Sequence, residues 1–180
     1  MTPTAYGATL DFHRLLQQDL PAEDNADFED AKRRFVGTLP NAEVKRSGEG
    51  EQVRQTIWSH RAYSFLEDET PASTVNPSLW RQARLNLNHG LFKVTERIYQ
   101  VRGFDIANIT FIEGDTGLIA IDCLSCADTA AAALALYHQF RDPEHKRVLH
   151  TVMYSHSHGD HFGGVRGLVN EADVRTGKVN

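Results

Sequence analysis

In the first ninety residues the apolar positions are sparse and fall at helical spacing. Phe28, Ala31 and Phe35 share one face of a segment that Asp27 can cap and Gly37 can close, with Asp30, Lys32 and Arg33 on the solvated side. Pro77 and Ser78 open a second helix through LWRQARLNLN, where Trp80, Ala83 and Leu87 make a buried stripe and Gly90 is the terminator. Between them KRSGEGEQVRQT, residues 45–56, is charged and without period, which predicts an exposed loop. From Arg97 the texture changes. RIYQV and NITFIEGDTGLIAID are rich in β-branched and aromatic residues, with EGDTG as turn chemistry, so a β-meander is expected. Ser125 can cap an alanine-rich helix with Asp128 at its third position, an apolar stripe of Ala133, Leu134, Tyr137 and Phe140, and an end near Arg141 before Pro143. The nearly continuous apolar run RVLHTVMYS then reads as a strand covered on both faces. The pattern predicts an α/β (α+β) chain: a helical and loop extension over residues 1–90, then a sheet-and-helix domain over 91–180.

The buried strand runs into SHSHGDHFGG, in which His156, His158, Asp160 and His161 form H-x-H-x-D-H. In an extended segment alternate residues share a face, so His156 and His158 can address one cation. Gly159, Gly163 and Gly164 permit a turn that aims Asp160 and His161 at a second cation about 3.5 to 4 Å away. Imidazole with carboxylate suits Zn²⁺ best, with Fe or Mn as alternatives. Two such ions would bring bound water to a near-neutral pKa and stabilise charge developing on an ester oxygen, which describes a hydrolase. No requirement of turn or helix stability explains this residue set. The other histidines, His13, His60, His89, His138, His145 and His150, lack ligand spacing and are read as structural. Asp122, ending the strand LIAID, either hydrogen-bonds the ligand loop or an imidazole from the second coordination layer, or is simply a residue leading into a helix. Cys123 and Cys126 form C-x-x-C before a helix; inert thiols and a redox pair are both open readings.

Charge and composition narrow the partners. A net charge of -5 provides no general basic field, so nucleic acid is not expected as partner. No window approaches the roughly 20 apolar residues of a membrane span, and the start MTPTAYGATLDFHRLL has no signal-peptide architecture. No transmembrane segment is expected, and the chain reads as cytoplasmic as it stands or as already without its signal, with a periplasmic or secreted location open for relatives. Its two cysteines are too few for a disulfide framework.

The ligand cluster on this strand resembles the metallo-β-lactamase superfamily, and the chain is similar more narrowly to the type III alkylsulfatases. The resemblance runs from Tyr6 to Val169 through NPSLWRQARLN, HGLFKVTERIYQVRGFD, NITFIEGDTGLIAID, ADTAAAALALY and YSHSHGDHFGGV; NPSLWRQ and TAAAALAL mark the alkylsulfatase branch. It implies an αββα sandwich, of which residues 91–180 are the first half, incomplete at the C-terminus. It also implies a binuclear zinc site, with His156 and His158 on one Zn²⁺ and Asp160 and His161 on the other, Asp160 serving as the catalytic carboxylate too. The implied reaction is hydrolysis of linear primary alkyl sulfates such as dodecyl sulfate at the carbon–oxygen bond, by a homodimer when full length. Three departures stand out. The family pattern has proline after Asp122 where this chain has Cys123; many relatives carry a secretion signal; and the family's remaining ligands, sulfate-binding residues and later domains lie beyond Asn180. The expectation is an N-terminal portion with little activity alone. The alternatives are a hydrolase of thioesters, lactones or phosphodiesters, or a non-catalytic metal-binding product.

Overall fold

Local chemistry explains where the elements of the computed structural model start and stop; it describes residues 4–19, 25–39, 43–46, 55–68 and 70–180. The chain divides into two units: residues 1–33 with 62–88, and residues 34–61 with 89–180. In the first, α1 (Gly7–Asp19), α2 (Ala26–Lys32) and α3 (Pro77–Leu85) gather around α3. Asn76 caps α3 by accepting the Ser78 N–H at 2.9 Å, with Pro77 in the first turn where its missing N–H costs nothing. Trp80 is buried, as its place in the expected stripe requires, and donates its indole N–H to the Asp68 carbonyl at 3.2 Å. Arg81 pairs with Asp27 at 2.7 Å, and the Arg81 and Arg84 guanidiniums lie over the Phe28 ring.

The boundary expected at residue 90 falls elsewhere. The α2 helix stops at Lys32, Arg34 takes a left-handed φ of 57°, and Phe35–Gly37 becomes strand β1 rather than the end of a helix. Asn25, not Asp27, holds the N-cap position. Gly37 carries no side chain because the Phe140 ring occupies the space, 2.5 Å from where a Cβ would sit. Of residues 45–56, positions 47–54 lie outside the described residues; their flanks form the antiparallel pair β2 (Glu43–Lys45) and β3 (Thr56–Ser59). Gly90 does not terminate α3, which ends at Leu85 with Asn86 as C-cap; it opens β4 at a φ of 128°. Residues 34–61 therefore group with the second unit: β1 pairs with β4, while β2 and β3 pair with each other and contact α4 (Ala127–Arg141).

The second unit is built on a six-stranded sheet of order β1-β4-β5-β6-β7-β8. After β4 (Gly90–Thr95), strands β5 (Ile98–Arg102), β6 (Ile109–Glu113) and β7 (Leu118–Ile121) form the expected antiparallel meander, and Gly114 N–H closes the last turn on the Gly117 carbonyl at 2.7 Å. Helix α4 (Ala127–Arg141) then crosses over to β8 (Leu149–Met153), which runs parallel to β7. The α4 stripe is turned slightly from the expected one: Thr129, Ala130, Ala133, Leu136 and Tyr137 are buried, Leu134 is partly so and Phe140 sits at the rim. It packs on Tyr99, Val101, Ile109, Phe111, Leu118 and Ala120, with the Phe111 and Tyr137 rings 5.2 Å apart. Strand β8 is only half-buried, not covered on both faces; its outer side meets Asn180, whose N–H donates to the His150 carbonyl at 2.9 Å and whose carbonyl accepts the Val152 N–H at 2.8 Å. No helix among the described residues is long and apolar enough to cross a membrane.

One charge is built into this core. Glu113 is 4% exposed, accepts the Tyr137 hydroxyl at 2.8 Å, and is gripped by Arg141 through Nε at 2.7 Å and Nη2 at 3.0 Å. Burial alone would push its carboxyl up, but Arg141 and Tyr137 outweigh it and hold it below the usual range. A folded-state value that is depressed contributes stability above the ordinary glutamate pKa of about 4.3 and loses it as pH falls. Glu113→Gln is therefore expected to lose about 2 kcal/mol at neutral pH, with the gap to the parent closing below about pH 4. Urea unfolding at several pH values measures it; a gap that does not change with pH would contradict the assignment.

Candidate metal centre

Strands β7 and β8 are parallel, so their carboxyl ends lie at the same edge of the sheet, where α/β folds gather their binding groups. Asp122 follows β7 and Ser155 follows β8. Asp122 takes a left-handed φ of 62° and is buried, with its carboxylate turned to β8's extension. There Oδ1 accepts the Ser155 N–H at 2.8 Å, while Oδ2 accepts the Ser155 hydroxyl at 2.9 Å and His161 Nδ1–H at 2.8 Å. Of the two open readings for Asp122, the structure shows contact with the ligand loop and with an imidazole. Burial would raise its pKa, but the Ser155 N–H, the His161 ring and the Ser155 hydroxyl together lower it. His161 moves the other way: the hydrogen bond to Asp122 raises it against desolvation, helped by the charges of Asp122 and Asp160.

These bonds order the ring nitrogens. A carboxylate only accepts, so His161 carries a proton on Nδ1 toward Asp122, and its Nε2 faces Asp160, 3.3 Å from Oδ2. The Ser155 hydroxyl proton goes to Asp122, leaving its oxygen to accept from His156 Nδ1 at 2.9 Å. His156 Nε2 then presents a lone pair to His158 Nδ1 at 3.1 Å. The His156 ring centroid is 4.7 Å from that of His158 and 4.0 Å from that of His161. His156 and His158 are exposed, and Asp160 and His161 are half-buried. The four predicted residues thus lie close together, with His156 beside both His158 and His161, and His161 beside Asp160.

The turn is held from below. Helix α5 (Gly159–Phe162) carries Asp160 and His161 as a single turn with His158 as N-cap. It rests on residues 123–126: Cys123 N–H donates to the His161 carbonyl at 2.8 Å, and Gly164 N–H donates to the Leu124 carbonyl at 2.9 Å. Gly163 and Gly164 allow this approach, since a Cβ on Gly164 would lie 2.0 Å from the Cys123 carbonyl oxygen. Leu124, fully buried, also has a left-handed φ, 63°, an uncommon backbone state for a bulky residue at an otherwise well-packed place.

Ser125 does not cap α4; Cys126 is the N-cap, and the Ser125 hydroxyl turns away to Asp105. Cys123 and Cys126 are both free thiols. Burial and the neighbouring Asp122 push the Cys123 thiol up to about 12, and Cys126 Sγ lies against the Thr129 hydroxyl at 3.4 Å. The remaining histidines sit apart from the cluster: His60 stacks on His89 at 4.0 Å and His138 on His145 at 4.1 Å. Sequence reasoning passed over Ser155, whose signal was its place between a strand and H-x-H. It also passed over Asp105, for which a lone acid in a loop gives none.

The donors fit a zinc ion in kind. Imidazole nitrogens 3.1 Å apart, and a nitrogen and carboxylate oxygen 3.3 Å apart, are each close enough for two bonds of about 2.0 to 2.2 Å to a shared cation. As placed, no three His, Cys, Asp or Glu side chains among the described residues converge on one point.

Residues 102–180 match the metallo-beta-lactamase superfamily. Over 172 residues, 96% of its length, the chain is 48% identical to the alkyl/aryl-sulfatase BDS1 of Saccharomyces cerevisiae, covering 25% of that protein. It is 51% identical over 166 residues to an (R)-specific secondary-alkylsulfatase of a Pseudomonas species, covering 90% of this chain and 23% of the relative. A linear primary-alkylsulfatase, also from Pseudomonas, is 44% identical over 176 residues, 97% of this chain and 25% of the relative. The solved structure of the stereoselective inverting sec-alkylsulfatase Pisa1 from Pseudomonas superposes on the whole chain with a TM-score of 0.86 at 47% identity, using 27% of that structure. The chain spans about a quarter of the length of the curated relatives it matches. Its α/β fold is that of the solved alkylsulfatase, residues 102–180 match the metallo-β-lactamase superfamily, and the chain as a whole is similar to about one quarter of an alkylsulfatase.

Proposed function

We propose that this chain supplies the first metal-binding half of an alkylsulfatase active site, which hydrolyses alkyl sulfate esters to an alcohol and sulfate. The observation that carries the reading is the Asp122–Ser155–His156 relay, together with the Asp122–His161 bond at the shared end of β7 and β8. It engages Nδ1 of both His156 and His161, which turns each Nε2 outward and leaves Asp160 beside that of His161. His156 and His158 would hold one zinc, and Asp160 and His161 a second. Two bound zinc ions would supply an activated water near neutral pH and positive charge against the ester oxygens. The protein's own part is to fix tautomers and bring the donors to one rim. The homology to alkylsulfatases supports sulfate esters over thioesters, lactones or phosphodiesters. The intact enzyme is read as a homodimer.

Substrate preference within the class is proposed as linear primary alkyl sulfates. Because the relatives include enzymes named for secondary and for primary substrates, the assay must offer both. The chain tested is a chimera in which these 180 residues replace the matching quarter of the secondary alkylsulfatase. Dodecyl sulfate and 2-octyl sulfate are supplied in heavy-oxygen water. Turnover with the label in the alcohol is the expected result. A folded, zinc-loaded chimera that turns over neither ester, while the parent relative does, sinks the proposal. The 180-residue chain alone is expected to show negligible turnover, as its four donors divide into two incomplete sets.

A further inference from the structure

Asp105 lies in the loop between β5 and β6, at the same edge of the sheet as Asp122 and Ser155, and its residue is 6% exposed. Its carboxylate accepts four groups: the Ile106 N–H at 2.7 Å, the Ser125 N–H at 3.0 Å, the Ser125 hydroxyl at 2.6 Å and the Thr129 hydroxyl at 2.7 Å. Every one of these donors is neutral. A buried carboxylate without a bonded cation is costly unless its oxygens are fully used and a favourable dipole faces it. Both conditions hold here, for α4 begins at Ala127 with an N-cap, Cys126, that makes no side-chain capping bond of its own. Asp105 thus ties Ser125, just before α4, and the Thr129 hydroxyl in its first turn to the β5–β6 loop.

Ser125 and Thr129 lie on either side of Cys126, so Asp105 clamps residues 125–129 to the β5–β6 loop. The two residues just before, Leu124 and Cys123, are the ones that give the Leu124 carbonyl to Gly164 and the Cys123 N–H to His161. Leu124 is held there in a left-handed conformation that a bulky side chain adopts only when its surroundings fix it. From one fixed side chain, two hydroxyls and one N–H lead directly to the ledge on which α5 carries Asp160 and His161.

We infer that Asp105 is a positioning residue for the metal-ligand turn, setting the height and tilt of α5 through Ser125, Leu124 and Cys123. The role toward zinc rests on the alkylsulfatase reading above; the mechanical role does not. Amide hydrogen exchange on the 180-residue chain without metal tests the mechanical part. Asp105→Asn is expected to speed exchange at the Cys123 and Gly164 amides by roughly tenfold or more, with the Phe111 and Ala120 amides of the sheet unchanged. Asp105→Glu, which keeps the charge, is expected to restore part of the protection. Uniform acceleration across all four amides would mean a general loss of stability and would overturn the inference, as would no change at Cys123 and Gly164. Should Asp105→Asn not fold, Ser125→Ala removes one donor and is read on the same amides. Zinc titration of the same proteins then tests the metal part: a fall of roughly tenfold in affinity with Asp105→Asn is expected. If the parent chain binds no zinc while the exchange result holds, the metal reading fails and the positioning role stands.

Discussion

Gly164→Ala is expected to destabilise the chain by about 3 kcal/mol or more, while Gly159→Ala, five residues earlier in the same stretch, stays within about 0.5 kcal/mol of the parent. The two glycines look equivalent in SHSHGDHFGG. They differ in what lies where a side chain would go. At Gly164 a Cβ would meet the Cys123 carbonyl oxygen at 2.0 Å and the Cys126 carbonyl oxygen at 2.6 Å, both backbone atoms that cannot swing aside. Relief requires lifting α5 off residues 123–126, which breaks the bond from Gly164 N–H to Leu124 and loosens that from Cys123 N–H to His161. At Gly159 nothing lies within 4 Å and the position is the first of a helical turn, where alanine is welcome. Thermal and urea unfolding of the two variants measures the difference. Equal stabilities would show that the close packing of these loops is not a constraint on the sequence.

In the chimera, removal of a donor is expected to cost more than removal of its support. His158→Ala or Asp160→Asn should lower kcat/KM by well over a hundredfold. Asp122→Asn, which leaves every donor in place but offers His161 Nδ1–H a weaker, uncharged partner, should lower it by roughly ten to a hundredfold. The logic is that the donors make the bonds and Asp122 only sets which ring nitrogen is free to make them. Zinc content by elemental analysis accompanies the kinetics, so that loss of metal is separated from loss of rate in a loaded enzyme. An Asp160→Asn protein with parent-like kcat/KM and zinc content would refute the assignment of the turn as the metal centre.

The parts of the fold that sequence pattern revealed are those in which a local signal and tertiary packing agree. The meander from Ile98 to Ile121, the crossover helix ending at Arg141 and the ligand-bearing edge after Met153 are of this kind. They have β-branched residues where strands lie, alanines where a helix lies close to a sheet, and a proline just past the helix end. The errors cluster where a short segment obeys a distant partner. Phe35 fits the helical face of Phe28 and Ala31, but pairing with Phe92 in β4 outweighs local propensity. Gly90 reads as a helix stop because glycine does stop helices; here its left-side φ serves the start of a strand. Ser125 reads as a cap, yet its hydroxyl is taken by Asp105, twenty residues away. At the site, the clustering of His156, His158, Asp160 and His161 was visible in their spacing, whereas Ser155's relay and the Cys123 ledge depend on which groups meet in space and have no residue signature.

Residues 122 to 124 each have one commitment that a neighbour cannot take over. Asp122 needs its carboxylate in a left-handed backbone, Cys123 needs an N–H for His161, and Leu124 needs a buried side chain in a second left-handed backbone. Glycine at 124 would ease the backbone but empty the core, and proline at 123 would remove the donor. Single changes along this stretch are therefore each unfavourable, even where a different trio would serve as well. The effects of paired changes should not add. Lineages that differ at the middle position of this loop are expected to differ at its partners across the histidine-rich turn too.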